Sequence, residues 1–411
     1  MSAEALLYPF LFLAIFFESF LLVTFLSKPA RAYRNRAIVP SFPKVAIIVP
    51  CWNEESTVAG TVDSLLALEY PQEKLRIVLV NDGSTDGTAK AIEKFATHPQ
   101  ITTLHKENGG KFTAMNLALS KVPDAELVGF LDADSFAAPD SLREMVATFD
   151  SPEILAVTAS MSIDKPSTLF QRMQFAEYSF AIILRHIFAS INGLYVTPGP
   201  FSFYRQEVFT KLGFFKHAYL AEDMEMAMRI QRAGGRIGNA VRARVYTKGP
   251  PTYRTLIKQR TRWTTGFLRN MLFDYRDLIW SKRNTVLGMF VIPLGFLAIG
   301  GGIIVFALNI VELVRRGYHA VSLIQTVPVS YTFALHPFSW FYLPITALVV
   351  MGILVLASTV TWMVVGKKLS GSPGSLALNA VIYIVLYGVT APIWLIRSVS
   401  DVARGVATTW R

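Results

Sequence analysis

Four long apolar runs, one at the start of the chain and three in its last third, constrain the fold more than any other feature. Residues 6–26 are apolar apart from Glu18, and residues 286–314, 338–365 and 376–396 are each long enough to cross a bilayer. With 52% hydrophobic residues and a mean hydropathy of +0.39, the chain is too apolar for an ordinary soluble enzyme. It is also too polar for a pure membrane bundle. The expectation is a water-soluble domain set between membrane helices. Only Glu4 precedes the first run, whereas Lys28, Arg31, Arg34 and Arg36 follow it. Positive charge on that side predicts an outside N-terminus and a cytoplasmic soluble domain in a multi-pass protein of the cell membrane. A cleaved signal peptide carries its basic residues before the apolar core, so that reading is rejected. Lys282/Arg283 and Lys367/Lys368 mark further cytoplasmic ends. Arg315 and Arg316 fall outside in this scheme, against the rule, and residues 317–337 read as an outer loop or a partly re-entrant segment.

Between the runs the pattern changes. Residues 45–50, 76–82, 101–105, 127–134 and 154–160 read as strands. Helical patterns cover 54–68, 85–96, 111–119 and 140–149, and Ser141 with Glu144 has capping-box spacing. Alternating β and α segments predict a Rossmann-like, mostly parallel sheet covered on both faces. Residues 169–191 and 252–271 are amphipathic and too charged to span, and they read as interfacial helices at the inner leaflet. Four regions follow: 1–30, a membrane helix; 43–250, the α/β domain; 251–283, an amphipathic helix; and 284–411, three membrane helices.

Charge and cysteine narrow the function classes. Fourteen Lys and Arg crowd between 229 and 283 and far outnumber the acids there, within a chain of net charge +11. Such a concentration suits an anionic lipid leaflet, a polyanionic ligand, or both. Nucleic acid is excluded as a partner because no recognition motif accompanies the charge. Cys51 is the one cysteine, so no internal disulfide points to an oxidising compartment.

Ligands of open α/β sheets bind beyond the carboxyl ends of the strands. Four of the strand ends here carry polar residues: Asn53 and Glu54, then Asp82, then Lys111 in "GGK", then Asp132 and Asp134 in "DAD". One such carboxylate is ordinarily a turn or helix cap, but four strand ends share one crevice. No G-x-G-x-x-G follows the first strand and no P-loop frame surrounds the "GGK", so neither dinucleotide nor P-loop chemistry is indicated. On an extended segment Asp132 and Asp134 aim to one side, and hard oxygen ligands suit Mg²⁺ or Mn²⁺ holding a diphosphate. Glu222 and Asp223 stand where a helix begins at about Met224. They are N-caps or, since a helix N-terminus keeps a carboxylate ionised, base candidates. In "QRTRW" (259–263), Gln259, Arg262 and Trp263 share one helix face at i, i+3 and i+4. Leu256, Trp263, Phe267 and Met271 form an apolar stripe beside them.

Asp82, the "DAD", the "ED" at 222–223 and the "QRTRW", in that order, resemble the processive membrane glycosyltransferases of family 2. These include the synthases of cellulose, chitin, hyaluronan and poly-N-acetylglucosamine. The resemblance covers residues 43–283 and the flanking membrane helices, and it implies a GT-A fold, a UDP-sugar donor and a growing polysaccharide as acceptor. By the same resemblance, Asp82 with Asn53 and Glu54 holds the uridine. Asp132 and Asp134 carry the diphosphate and its Mg²⁺ or Mn²⁺, with Lys111 adding charge. Asp223 deprotonates the acceptor hydroxyl and Glu222 places it. Arg262 and Arg260 reach the diphosphate, Gln259 bonds the sugar, and Trp263 stacks on the terminal acceptor sugar. The apolar stripe then anchors this helix at the bilayer edge. "TPGPFSFYR" (197–205), with Gly199 and Pro200, is similar to the family's acceptor-side segment. Ala221 departs from the pattern, which has Thr before Glu-Asp, and a hydroxyl contact is lost. One leading and three trailing spans resemble the poly-N-acetylglucosamine synthases and favour that sugar over glucose. An accessory export subunit or a second copy of the chain is the further partner that four spans invite. The alternatives are a transferase moving one sugar to a lipid and an inactive export partner.

Overall fold

The computed structural model describes residues 6–27, 41–282, 284–324 and 346–406. Helix α1 (Tyr8–Ser27) comes first, and its 20 residues, mostly apolar, make about 30 Å, the thickness of a bilayer core. Among the described residues, eight strands then form one sheet in the order β3-β2-β1-β4-β7-β6-β8-β5. Strands β1 (Val45–Cys51), β2 (Leu75–Asp82), β3 (Ile101–Lys106) and β4 (Leu127–Phe130) pair in parallel, as the apolar runs predict. Both faces of β1 are buried. Val45, Ile47 and Val49 pack with Val62 and Leu65 of α2 (Val58–Leu66). Ala46 and Ile48 pack on the other side with Met115 and Ala118 of α4 (Lys111–Leu119).

The second half of the sheet is mixed. β5 (Ser135–Ala137) runs antiparallel to β8 (Arg236–Thr247), and β7 (Ser202–Arg205) lies antiparallel between β4 and β6 (Ile154–Ile163). β8 is parallel to β6. None of β5, β7 and β8 was read from sequence. Two are only three or four residues long, and β8 carries Arg236, Asn239, Arg242 and Arg244 on its partly exposed positions. The run at 127–134 divides, so Asp132 and Asp134 lie in the turn between β4 and β5 rather than on an extended end.

Several helices are shorter than their patterns: α2, α3 (Thr88–Glu93) and α5 (Ser141–Ala147) each lose residues to flanking turns. No capping box forms at Ser141, whose hydroxyl instead donates to Arg244 O at 2.8 Å. Capping boxes form at Thr168–Gln171, opening α6 (Leu169–Ser190), and at Thr252–Thr255, opening α9 (Tyr253–Arg269). After α7 (Gln206–Leu212), helix α8 (Glu222–Arg232) starts two residues earlier than expected. Glu222 and Asp223 therefore occupy its first turn and are not its caps.

The long helices explain α6 and α9. α10 (Ile292–Ile324), α11 (Ala347–Ser370) and α12 (Ala377–Ala403) follow them. Together with α1, they make four helices among the described residues that are long and apolar enough to cross a membrane. The last of these apolar runs begins a residue later than its pattern. The run at 286–314 is longer than its pattern, continuing as helix through residues 317–324 that were read as loop. Residues 325–337, residues 338–345 of the next run, and the basic cluster at 28–36 lie outside the described residues. Glu18, the one charge in α1, accepts hydrogen bonds from Ser358 at 2.8 Å and Thr359 at 3.2 Å on α11. That is how an intramembrane carboxylate is satisfied.

The apolar faces expected to meet lipid are covered by protein. Phe175 and Tyr178 of α6 join the sheet's core, while Ile183 and Ile187 pack on Leu21 of α1 and Trp362 of α11. Leu256 on α9 and Met271 in the turn just after it are fully buried, and the Phe267 ring meets Tyr195 and Phe296. Ile257 packs against Ala391 and Trp394 of α12, and Ser398 donates to Thr261 O at 3.2 Å. The amphipathic helices are thus a layer of protein between sheet and spanning helices.

Candidate active site

The carboxyl ends of β1, β2, β3 and β4 open into one cavity of about 1040 Å³. Glu54, Asp82, Lys111, Asp132 and Asp134 line its sheet side, and Glu222 lines it from α8. Arg254, Thr255, Lys258, Gln259 and Arg262 of α9 form the opposite wall. Successive residues of a helix turn by about 100°. Residues 254, 258, 262, 255 and 259 therefore fall in order around one face, which is the face turned to the cavity. The acids sit on the sheet and α8 side together with Lys111, and the α9 wall contributes cations and no acid.

The acid corner is electrostatically loaded. Lys111 forms an ion pair with Asp132. Burial works against its charge, but Asp132, Glu222 and Asp223 outweigh that and hold its pKa above the usual value. Burial, then the neighbouring Asp132 and Glu54, push the Asp134 carboxyl up to about 7. Among the described residues no group of three His, Cys, Asp or Glu is gathered as a complete metal cage. Two hard-oxygen ligands with surplus negative charge beside them fit a divalent cation whose remaining ligands are water and diphosphate oxygens. Asp82 is 3% exposed, and its Oδ1 accepts from Lys106 Nζ at 2.6 Å and Gly109 N at 3.1 Å. It thereby fastens the loop that carries Lys111. A Cβ on Gly199 would come within 2.8 Å of Lys111 Nζ and 3.2 Å of an Asp132 carboxylate oxygen, so a side chain there would shift the Lys111 ammonium. Pro200, next to it, is half-buried.

Glu222 and Asp223 are presented by a strained turn. Ala218, Tyr219 and Leu220 all have left-handed φ values, of 43°, 55° and 61°. For residues other than glycine this costs on the order of 1 kcal/mol each. α9 holds the turn, with Arg262 Nη1 donating to Leu220 O at 2.7 Å. Thr197, in the segment 197–205, donates to Asp223 O at 2.7 Å and accepts from Tyr204 OH at 2.8 Å. Asp223 Oδ1 accepts from Met224 N at 2.8 Å. Burial and Glu222 raise the Asp223 carboxyl to about 6, against the pull of Lys111 and Arg262. Ala221 is pressed against α9: a Cβ on Gly266 would meet the Ala221 Cβ at 2.6 Å. A small residue at 221 therefore suits this close crossing. Gly266→Ala is expected to force the two apart, costing about 1–3 kcal/mol of stability together with activity. Thermal unfolding in detergent and UDP release measure the two effects.

Six expected site residues are not part of the cavity wall: Asn53, Gly199, Pro200, Asp223, Arg260 and Trp263. Gly199, Pro200 and Asp223 stand beside wall residues, Gly199 next to Lys111 and Asp132 and Asp223 next to Glu222; the other three are held elsewhere. Asn53 does not line the cavity; its Oδ1 accepts from Thr85 N at 2.8 Å and ties two loops together. Arg260 stands about 200° around the helix from Arg262, so both cannot face one diphosphate. It is 5% exposed and pairs with Glu177 at 2.7 Å. Trp263 is partly buried against the sheet's core, between Gln259 on the cavity face and Arg260 behind it. Gln259 does face the cavity, and its Oε1 is buried with no hydrogen-bond partner among the described residues. Sequence reasoning missed Trp52, Asn108, Lys248, Arg254 and Lys258 on the wall. The four-residue spacing of 254, 258 and 262 was the available signal for two of them.

A family model described as "Glycosyltransferase like family 2" matches residues 43–266. Over 242 residues the chain is 30% identical to a poly-beta-1,6-N-acetyl-D-glucosamine synthase of Staphylococcus epidermidis and 28% identical to one of Staphylococcus aureus. The matched part is 58% of this chain and 58% of each relative. Among solved structures, a mannosyltransferase from Pyrobaculum calidifontis, in complex with GDP-Man and Mn²⁺, superimposes with a TM-score of 0.59 at 19% identity. That comparison covers 98% of this chain and 99% of the other, and the fold is the Rossmann-like GT-A arrangement. The family match spans more than half of the chain and takes in all eight strands, so this protein belongs to the glycosyltransferase-like family 2.

Proposed function

We propose that this protein is a processive, inverting glycosyltransferase that builds a β-linked polysaccharide from a UDP-sugar at the cytoplasmic face and assists its export. UDP-N-acetylglucosamine is favoured over UDP-glucose, in keeping with the names of the Staphylococcus relatives. The observation that carries this reading is a cavity that gathers the strand-end acids and Lys111 on one side and the cations of α9 on the other, with α9 fastened to α12, a helix long enough to span.

In this reading Glu54 and Asp82 face the uridine, while Lys111 and Arg262 face the diphosphate from opposite walls. Asp223, with Oδ1 held by Met224 N–H, takes the acceptor hydroxyl's proton on Oδ2. The acceptor oxygen bonds to the anomeric carbon from the side opposite UDP. The bond from that carbon to the diphosphate oxygen breaks, and the configuration inverts. Lys111 and Arg262 stabilise the charge that develops on UDP. Asp132 and Asp134 would hold Mg²⁺ or Mn²⁺, which supplies Lewis-acid stabilisation of the leaving group when bound. Gln259 Oε1 accepts from a sugar hydroxyl, and Glu222 places the acceptor.

Purified full-length protein given UDP-N-acetylglucosamine and Mn²⁺ is expected to release UDP and make a polymer that linkage-specific β-N-acetylglucosaminidases degrade. A product of one sugar on a lipid would end the processive reading. No UDP release with any UDP-sugar and divalent metal would end the catalytic one.

A further inference from the structure

The strained turn at Ala218–Leu220 is gripped from α9 by two arginines. Arg262 donates to Leu220 O at 2.7 Å, and the Arg269 guanidinium carbon stands 5.6 Å from the Tyr219 ring centroid. Seven residues make almost two full turns of helix, so both arginines leave α9 on nearly the same side. Unlike Arg262, Arg269 is not part of the cavity wall. It is 8% exposed, and its Nη2 donates to Val406 O and, at 3.4 Å, to Asp401 O. Those carbonyls belong to the carboxyl end of α12. There Gly405 is left-handed at φ 66°, Gly405 N donates to Val402 O at 3.2 Å, and Val406 N donates to Asp401 O at 3.0 Å. This is a Schellman cap, and it fixes where the Val406 carbonyl points. Val402, in the same end, packs on the apolar cluster that holds Ala221 and Met224, the residues flanking the two acids.

We infer that Arg269 is a positioning residue that ties the carboxyl end of α12 to the turn presenting Glu222 and Asp223. This rests on the proposed function, since it takes those acids to act on the acceptor. Left-handed residues other than glycine persist only where their surroundings over-determine them. Arg262 supplies one restraint from the cavity side. The other is a guanidinium whose own place is set by a helix cap 137 residues further along the chain. α12 contributes no residue to the cavity wall. Disturbing its cap therefore moves the turn while the donor contacts stay in place.

The experiment uses detergent-solubilised full-length protein and three variants, Arg269→Met, Gly405→Val and Gly405→Asn. A Cβ on Gly405 would meet nothing within 4 Å, so a side chain there acts through the backbone alone. Valine resists the left-handed φ and breaks the cap, whereas asparagine tolerates it. UDP release from UDP-N-acetylglucosamine gives kcat and KM, and hydrogen exchange is followed over residues 218–224 and over β1 to β4. Arg269→Met and Gly405→Val are expected to lower kcat about ten-fold, with KM within about two-fold of wild type. Both should exchange about ten-fold faster at 218–224 and at the wild-type rate in the strands. Gly405→Asn is expected to match wild type. Unchanged kcat or unchanged exchange in Gly405→Val, an equal loss in Gly405→Asn, KM rising as kcat falls, or faster exchange throughout the sheet in Gly405→Val would each overturn the assignment. No UDP release by the wild type, with exchange at 218–224 still following the cap, would refute the proposed function and leave the positioning role standing.

Discussion

Asp223→Asn is expected to lower sugar transfer by about 10²–10⁴-fold, the range for removing a general base, while UDP binding stays at the wild-type level. The variant should also melt at a higher temperature at pH 7. The folded-state carboxyl is raised to about 6, chiefly by burial and by Glu222, above its ordinary value near 4. A raised acid is charged at a cost once the pH exceeds its folded pKa, and that cost disappears below the unfolded value. Stability therefore falls as pH rises from about 4 to about 6, and at pH 7 the cost is about 1–3 kcal/mol after discounting for partial exposure. Asparagine removes it. The wild-type pH profile of kcat/KM, taken at saturating divalent cation, should lose activity as pH falls through about 6, as Asp223 gains its proton. Near-wild-type turnover in Asp223→Asn would reduce the residue to part of the strained turn's scaffold.

The second large effect is at the metal corner. Asp134→Ala removes one of the two proposed hard-oxygen ligands, and a metal in this role supplies several kcal/mol of charge stabilisation. UDP release should fall by about a thousand-fold, and excess chelator should do the same to the wild type. Full activity in the variant, or in chelator, would show that Lys111 and Arg262 are sufficient for the leaving group. The two variants are expected to differ in kind: loss of Asp134 should also weaken donor binding, which loss of Asp223 should not.

Much of this architecture was legible in local patterns. The bilayer-length runs announced the four long helices, because length and hydrophobicity are properties of a segment alone. Three of the parallel strands, β1, β2 and β4, were legible for the same reason, each being apolar on both faces, and the edge strand β3 by its short β-branched run. The antiparallel strands were not. β7 has four residues and gains its place by pairing with β4 and β6, contacts that no local pattern encodes. The capping box misplaced at Ser141 shows the limit of spacing: its hydroxyl had a better partner on β8, a hundred residues away.

By itself, the sequence determined the inventory of the site: which acids end which strands, and which cations and amides share the α9 helix. Helical geometry even held the fact that Arg260 and Arg262 point apart, about 200° around one axis. Only the tertiary structure decided which of the two faces the cavity, since that depends on Glu177 waiting on α6 and on Ile257 docking under α12. It also decided that the Asp223 carboxyl is raised to about 6. A carboxylate's proton affinity is set by the water excluded from it and the charges packed around it, and both come into being only when distant segments close on one another.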